Sequence, residues 1–281
     1  MAKGILKMQS PPLLFDHDLL AIRRARAAGF GDKGAFLHRE IAGHVSERLM
    51  EVKKTFTDGA IIGPQGNIWA ETLDLPNTIT VPDREILPLE ESSLDVAIHA
   101  LALHWANDPV GQLVQMRRAL RPDGLMIAAL FGGQTLNELR SALAEAETEI
   151  EGGLSPRVAP MGEIRELGGL IQRAGLALPV ADSVVLNVTY ETPLHLMHDL
   201  RAMGETNVML ARRKTPMRRE TLLRAMEIYA RNYTVDGRIN ATFEVIFLTG
   251  WAPSENQQKP LRPGSAQTSL AAALGTKEFK P

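Results

Sequence analysis

The residues best placed to do chemistry follow an apolar stretch near the middle of the chain. After Asp95 the only polar residue up to position 103 is His99, a pattern typical of a strand buried on both faces of a parallel sheet. A histidine at such a strand end can orient or deprotonate a nucleophile. Alternatively, a histidine and a tryptophan side by side can simply shape a pocket. Both interpretations are open for His104 and Trp105, which come next. Asn107 and Asp108 follow them and should form part of the substrate rim.

A second set of candidates follows the next apolar run. The segment 109–120 places its apolar residues close to one helix face, and Pro122 with the Asp123-Gly124 turn ends it before the apolar run 125–131. The unit is therefore a strand, a crossover helix and a parallel strand. Ligands of such sheets bind outside the carboxyl ends of the strands. The rim of a site should thus include Gly132, Gly133, Gln134 and Thr135.

A glycine turn is the third feature. The segment 54–62 is predicted to be the first strand, and Gly63-Pro-Gln-Gly66 follows it. Such a turn lets a nucleotide-like ligand approach the backbone and the next helix N-terminus, although an ordinary tight turn explains the same residues. Between Gly66 and Thr78 there is room for one short helix and a strand end, but not for a further βα unit of about 20 residues.

Composition narrows the function classes. A chain of 281 residues can form one large α/β domain with an insertion, and a net charge of -2 provides no basic field for nucleic acid. The absence of cysteine excludes disulfides, thiolate metal sites and cysteine nucleophiles, and the histidines lack metal-ligand spacing. No apolar run is long enough to span a membrane. We therefore expect a cytoplasmic protein without a metal.

The remaining elements frame this central unit. Arg23, Arg24 and Arg26 lie on the first predicted helix, and we interpret them as a solvated helix face rather than a phosphate site. The other predicted strands are 77–81, 181–190 and 242–250. The predicted helices are 15–29, 36–50, 67–73, 134–149, 161–174, 193–204 and 216–232.

This order of elements, with the 120–124 turn before an apolar strand, resembles the class I S-adenosylmethionine-dependent methyltransferases. More narrowly, the chain is similar to the assembly factor 5 family of respiratory complex I, a relative of the malonyl-carrier-protein O-methyltransferases. The segments that carry this likeness are 15–26, 101–108, 130–140, 146–156, 199–207 and 262–266. The implied fold is an α/β, Rossmann-like class I methyltransferase sheet, missing one βα unit, with a helical cap. The implied domains are N-terminal helices (1–52), a methyltransferase-like domain (53–252) with a helical insertion at about 191–236, and a tail (253–281).

The resemblance also implies roles for single residues. Gly63 and Gly66 would be the remains of the methionine-binding turn, and Asp83 would face the adenine. Ala100 and Leu101 would line the cofactor, while His104 and Trp105 would face the substrate. The chain departs from the family at two places, since Ile61 replaces an acidic residue and the acid that holds the ribose hydroxyls has no counterpart. Each lost charge-assisted bond is worth roughly 1.5 to 3 kcal/mol, so we predict weakened or lost S-adenosylmethionine binding.

Two classes of function follow. The resemblance implies an enzyme that hydroxylates an arginine of an iron-sulfur subunit during complex I assembly, or a methyltransferase acting on a small acid or a protein. The alternative is a non-catalytic assembly scaffold that has lost its cofactor. The expected setting is a bacterial cytoplasm, peripheral to the inner membrane through the partner, and the sequence does not specify an oligomeric state.

Overall fold

The fold is a single mixed sheet with helices on both faces, in a computed structural model that describes residues 13–257 and Gly275. The strand order is β2-β1-β3-β4-β7-β5, with β6 paired to β7. β1 to β4 pair in parallel, and β7 runs against β4, β5 and β6. The predicted α/β class and Rossmann-like sheet are confirmed. The strands are β1 (Gly59–Ile62), β2 (Thr78–Val81), β3 (Leu94–Ala100), β4 (Leu120–Phe131), β5 (Ala177–Tyr190), β6 (Thr234–Val235) and β7 (Arg238–Trp251).

Alternation along the strands divides the core into two layers. Ile61 on β1 packs into the layer beneath α2, α3, α5 and α8, whereas the adjacent Ile62 packs beneath α4 and α6. The apolar strands are thus buried on both faces, as the continuous run of β3 predicted. The helices are α1 (His17–Ala27), α2 (Phe36–Glu51), α3 (Gly66–Leu73), α4 (Pro109–Ala119), α5 (Asn137–Glu151), α6 (Ile164–Arg173), α7 (Pro193–Ala202) and α8 (Arg219–Asn232).

The first strand is shorter than predicted. β1 begins at Gly59 rather than at position 54, because the amides of Thr57 and Asp58 donate to the Asp95 carboxylate (both 3.3 Å) instead of continuing the ladder. Only α3 and β2 stand between β1 and β3, and β2 pairs directly with β1. This agrees with the predicted lack of space for a further βα unit.

The last strand is longer than predicted. β7 begins at Arg238, and a turn at Asp236 (φ 50°) and Gly237 (φ 76°) connects it to β6. Asp-Gly is a strong signal for a two-residue hairpin turn, so this feature was detectable in the sequence. β5 likewise begins at Ala177, with a register shift before Val180.

A helical cap covers the carboxyl ends of the parallel strands. It consists of α1, the 3-10 helix Ala28–Gly34 and α7, which pack on one another. A Cβ added to Gly34 would lie 2.1 Å from the carbonyl oxygen of Ala202, so only glycine permits this contact. Within the described residues, no helix has the length and apolar character needed to cross a bilayer. The predicted tail from residue 258, including the 262–266 segment, lies outside the described residues apart from Gly275.

Candidate functional site

Two cavities open beneath the cap. The first, here called the turn cavity, has a volume of about 700 Å³ and lies between α1 and the glycine turn. Its lining includes Arg24, Gly63, Gln65, Asn67, Asp83 and Glu85. The second, the substrate-side cavity, has about 170 Å³ and lies at the ends of β3 and β4. Ligand pockets for drug-sized molecules span roughly 300 to 1,000 Å³, so the turn cavity can hold a cofactor and the substrate-side cavity a single side chain.

The glycine turn is shaped by close backbone packing. Gly63 has φ 134°, donates its N-H to Val81, and would place an added Cβ 2.8 Å from the carbonyl oxygen of Ala100. At Gly66 an added Cβ would meet Thr80 at 2.8 Å. Glycine is therefore required where β1 approaches β3 and where α3 approaches β2. Gly63 is the one of the two glycines that lines the turn cavity.

Asp83 forms an ion pair with Arg24. Nη1 of Arg24 lies 2.6 and 2.8 Å from the two carboxylate oxygens, and the two side chains are 16% and 10% exposed. Nε and Nη2 of Arg24 are buried without a hydrogen-bond partner among the described residues. The interpretation of this arginine as part of a solvated helix face was wrong, because its side chain is mostly buried and paired with Asp83. Arg24 instead provides two unused donors beside the glycine turn.

The two predicted cofactor residues at the end of β3 line neither cavity. Ala100 and Leu101 are fully buried in the core layer beneath α2 and α3. Leu101 has φ 52°, which turns the chain out of the strand and into the short 3-10 helix Leu103–Trp105. Leu101 therefore begins the turn that leads from the strand to His104 and Trp105.

His104 and Trp105 converge on Glu205. The indole N-H of Trp105 donates to Oε2 of Glu205 at 2.7 Å, and Nε2 of His104 lies 3.0 Å from the same oxygen. The His104 and Glu205 side chains are 2% and 4% exposed. The second oxygen, Oε1, is buried and has no partner among the described residues. Glu205 lines the substrate-side cavity, so this carboxylate has a buried oxygen without a partner beside the cavity.

Glu205 is ionised. Burial opposes its ionisation, but the charges of His104 and Arg24 and the hydrogen bonds from His104 and Trp105 outweigh burial, and the pKa of this carboxyl is lowered. Nearby, burial lowers the pKa of both His38 and His99 to about 4, so these two side chains are neutral at pH 7. Oε1 of Glu205 remains without a hydrogen-bond partner among the described residues, so it can accept from a donor group of a guest.

The end of α7 places Glu205. Gly204 adopts φ 79°, its N-H donates to Arg201, and the N-H of Glu205 folds back to Leu200 at 2.9 Å. This is the Schellman arrangement that a glycine after a helix favours. Glu205 lies in the 199–207 segment that carries the family resemblance, but it was not among the predicted site residues. The helix-ending glycine was a local signal that this carboxylate turns back toward the fold.

The walls of the substrate-side cavity are mainly apolar. Phe131 lies with its ring centroid 4.8 Å from that of His104. Two arginines also reach the cavity, but Arg157 is paired with Glu147 at 2.6 Å, and Arg201 is exposed at its edge. The apolar and aromatic lining consists of Trp105, Phe131, Leu136, Leu139, Val158, Ala159, Met161, Met197, Leu200 and Phe243. An aliphatic stem with a charged end fits this surface.

Most of the predicted rim residues stabilise turns. The N-H of Gly132 donates to the Glu244 carbonyl, that of Gln134 to the Glu244 carboxylate, and the Thr135 hydroxyl bonds the Glu244 backbone. Gly133 packs against Glu163, since an added Cβ would lie 2.3 Å from its Oε1. Of these four rim residues, Thr135 lines the substrate-side cavity. Asp108 caps α4 by accepting from Gly111.

Asn107 fastens the N-terminal segment to the site. Its Oδ1 accepts from the amides of Leu14 and Phe15 at 2.8 and 2.9 Å, and its Nδ2 donates to the Phe15 carbonyl. We expect Asn107→Ala to lower the free energy of unfolding by about 1 to 3 kcal/mol and to expose the start of α1 to protease. Denaturant unfolding and limited proteolysis measure the two effects.

A matched control is Asp108→Asn, which keeps a helix-capping side chain and should leave stability within about 0.5 kcal/mol. Unchanged stability and unchanged proteolysis in Asn107→Ala would contradict the assigned fastening role.

The two buried histidines predict acid sensitivity. Between the folded-state pKa of about 4 and the ordinary value of 6.5, only the unfolded chain takes up these protons, so stability falls as pH falls through this window. From pH 7 to pH 5 we expect a loss on the order of 2 kcal/mol per histidine. Denaturant unfolding across this pH range measures it. His99→Gln should flatten the slope while the exposed His195→Gln should not, and equal slopes in all three proteins would refute the prediction.

Comparison with known proteins locates the chain among its relatives. A methyltransferase domain model matches residues 65–128. The mitochondrial arginine-hydroxylase NDUFAF5 of Danio rerio is 33% identical over 285 residues, covering 92% of this chain and 88% of the relative. The human arginine-hydroxylase NDUFAF5 is 32% identical, with 92% and 82% covered. Malonyl-[acyl-carrier protein] O-methyltransferase of Laribacter hongkongensis is 35% identical over 201 residues, covering 72% of this chain and 65% of that protein.

Proposed function

The chain belongs to the family of the arginine-hydroxylase NDUFAF5 and has a methyltransferase fold. We propose that it hydroxylates an arginine side chain of a partner protein. The single observation that carries the proposal is the unpartnered Oε1 of Glu205 at the side of a small apolar cavity. An ionised, buried carboxylate of this kind binds a guanidinium strongly, because charge-assisted bonds gain in a low dielectric.

The cavity suits the rest of an arginine side chain. Its apolar wall can bury the aliphatic stem, and the rings of Trp105 and Phe131 can attract the cationic end. Both hydrogen bonds from His104 and Trp105 go to Oε2, which leaves Oε1 for the guest. We therefore assign His104 and Trp105 as positioning residues that fix the guanidinium-binding carboxylate.

The turn cavity fits S-adenosylmethionine. The unpartnered donors of Arg24 suit its carboxylate, while Asn67 and Glu85, which also line the cavity, suit its hydroxyls and amine. When bound, this group would supply an electrophilic methyl, which serves methyl transfer and not hydroxylation. Asp83 is already engaged by Arg24, and no acidic residue ends β1, so we propose that the site is weakened relative to an ordinary methyltransferase.

Hydroxylation requires an oxygen-atom donor and reducing equivalents from outside the described residues. The part played by this chain is to bind the guanidinium, to hold the stem in a dry apolar cavity and to exclude water from the reacting carbon or nitrogen. The proposed partner is an iron-sulfur subunit of respiratory complex I, which would bring the chain to the cytoplasmic side of a bacterial inner membrane.

A second candidate is methyl transfer to a small acid. Its specific support is that Arg157 and Arg201 reach the substrate-side cavity, together with the malonyl-[acyl-carrier protein] O-methyltransferase relatives. The Arg157 charge is already balanced by Glu147, which favours the arginine substrate over the acid. A non-catalytic scaffold is the third possibility, and it predicts no chemical change on any partner.

The test is mass spectrometry of complex I subunits from cells that contain or lack the chain. We expect one arginine to carry an additional oxygen atom in the presence of the wild-type chain and to lack it after deletion. An additional methylene on an acidic side chain of a subunit would support methyl transfer to a protein acceptor instead, and methyl transfer to a small acid would leave every subunit unchanged. No mass difference on any subunit, with assembly still impaired, would leave the scaffold role.

A further inference from the structure

A ring of arginines lies beside the mouth of the substrate-side cavity. A third cavity of about 320 Å³ is lined by Arg23, Arg26, Phe30, Arg201 and Thr206. Arg201 and Thr206 also line the substrate-side cavity, so the two are contiguous. We name Arg23, Arg26 and Arg201 the arginine rim.

The rim concentrates positive charge, which the nearby Asp16 offsets in part at Arg23. Among the described residues, none of its three arginines lies in an ion pair, whereas the neighbouring Arg212 is paired with Asp16. The undescribed parts of the sequence contain one acidic side chain, Glu278. Partial burial, with the charges of Arg212 and Arg26, lowers the pKa of Arg23. Like charges held this close favour an anionic guest.

We propose that the arginine rim binds acidic side chains of the partner protein that flank the arginine inserted into the substrate-side cavity. This inference rests on the proposed function for its inserted arginine, but the rim itself is a separate binding surface. Two features of the substrate would thus be recognised. Glu205 would bind the cationic arginine, and the arginine rim would bind the acidic side chains on either side of it.

A protein segment fits the rim better than a lipid surface does. The rim lines a concavity, and its edge is shared with a cavity the size of one side chain. A peptide can insert one side chain and place its neighbours within the adjoining concavity, whereas a flat bilayer contacts protruding side chains. Charge complementarity of this kind selects partners and accelerates encounter.

The test uses fluorescent peptides and the full chain. The first peptide carries a central arginine flanked by aspartate and glutamate, the second has asparagine and glutamine at those flanks, and the third replaces the central arginine with citrulline. We expect wild type to prefer the acidic flanks by about tenfold, because several exposed pairs each add a little. Arg23→Gln/Arg26→Gln should lose this preference, since neither residue lines the substrate-side cavity. Arg173→Gln, exposed on α6, should keep it.

The outcomes separate the two proposals. Equal binding of acidic and neutral flanks by wild type, or an unchanged preference in the double variant, would overturn the rim. If wild type keeps the preference for acidic flanks but binds the arginine and citrulline peptides equally, the guanidinium site is overturned instead. Rim-dependent binding of phosphatidylglycerol vesicles without any acidic-peptide preference would replace the proposal with a membrane contact.

Discussion

Glu205→Gln is expected to reduce arginine modification by about 100-fold or more. The variant leaves a guanidinium without its buried counter-charge, and truncating one partner of such a pair typically costs 2 to 5 kcal/mol. The amide oxygen can still accept from Trp105, so the side chain remains in place. The measurement is the fraction of the target arginine that carries the modification when the variant replaces wild type in cells.

Folding must be separated from this loss. Glu205 is a buried carboxylate 3.0 Å from Nε2 of His104, and removing one partner of a buried pair lowers stability. The melting temperature of Glu205→Gln should therefore fall below that of wild type, so modification is compared at a temperature where the variant is still folded. Glu205→Asp keeps the negative charge on a side chain one methylene shorter, so it should lose less activity than Glu205→Gln. Full modification by a stably folded Glu205→Gln would remove this carboxylate from substrate recognition.

Arg24→Ala is expected to have two large effects. It removes the donors that suit the S-adenosylmethionine carboxylate, so calorimetry should show affinity reduced by about tenfold to 100-fold. It also leaves Asp83 nearly buried and unpaired, which costs roughly 3 to 5 kcal/mol of stability when a buried pair is broken. Thermal unfolding measures the second effect.

A double variant separates the two effects. Arg24→Ala/Asp83→Ala removes both charges and should recover most of the stability but none of the cofactor affinity. Arg173→Gln on α6 should change neither quantity. Wild-type affinity in a folded double variant would exclude Arg24 from the cofactor site and would favour a turn cavity with another occupant.

The sequence predicted the elements whose evidence is local. The apolar runs of β3 and β4 and the amphipathic α4 between them located a parallel unit, and its strand ends indicated where a site should lie. The short spacing after Gly66 indicated the missing βα unit. These features depend on patterns within about a dozen residues, where period and turn chemistry are reliable guides.

The site itself depends on distant partners. Glu205 contacts a histidine 101 positions earlier in the chain, and no local pattern links the two. Arg24 looked solvated because its own helix is polar, yet it packs against Asp83, 59 positions away. Asn107 was predicted to lie at the edge of the substrate site, but its side-chain amide oxygen accepts hydrogen bonds from the backbone of the N-terminal segment. Polar residues near strand ends can thus be identified from the sequence. Which of them bind a ligand and which stabilise the fold cannot, because that depends on partners far away in the chain.

The most direct measurement is a calorimetric titration of an arginine peptide and its citrulline analogue into wild type and Glu205→Gln. The two peptides differ in charge and hardly in shape. The guanidinium site predicts that wild type binds the arginine peptide at least about tenfold more tightly, and that Glu205→Gln binds both equally. Equal affinities in wild type, or a preference that survives in Glu205→Gln, would contradict the account.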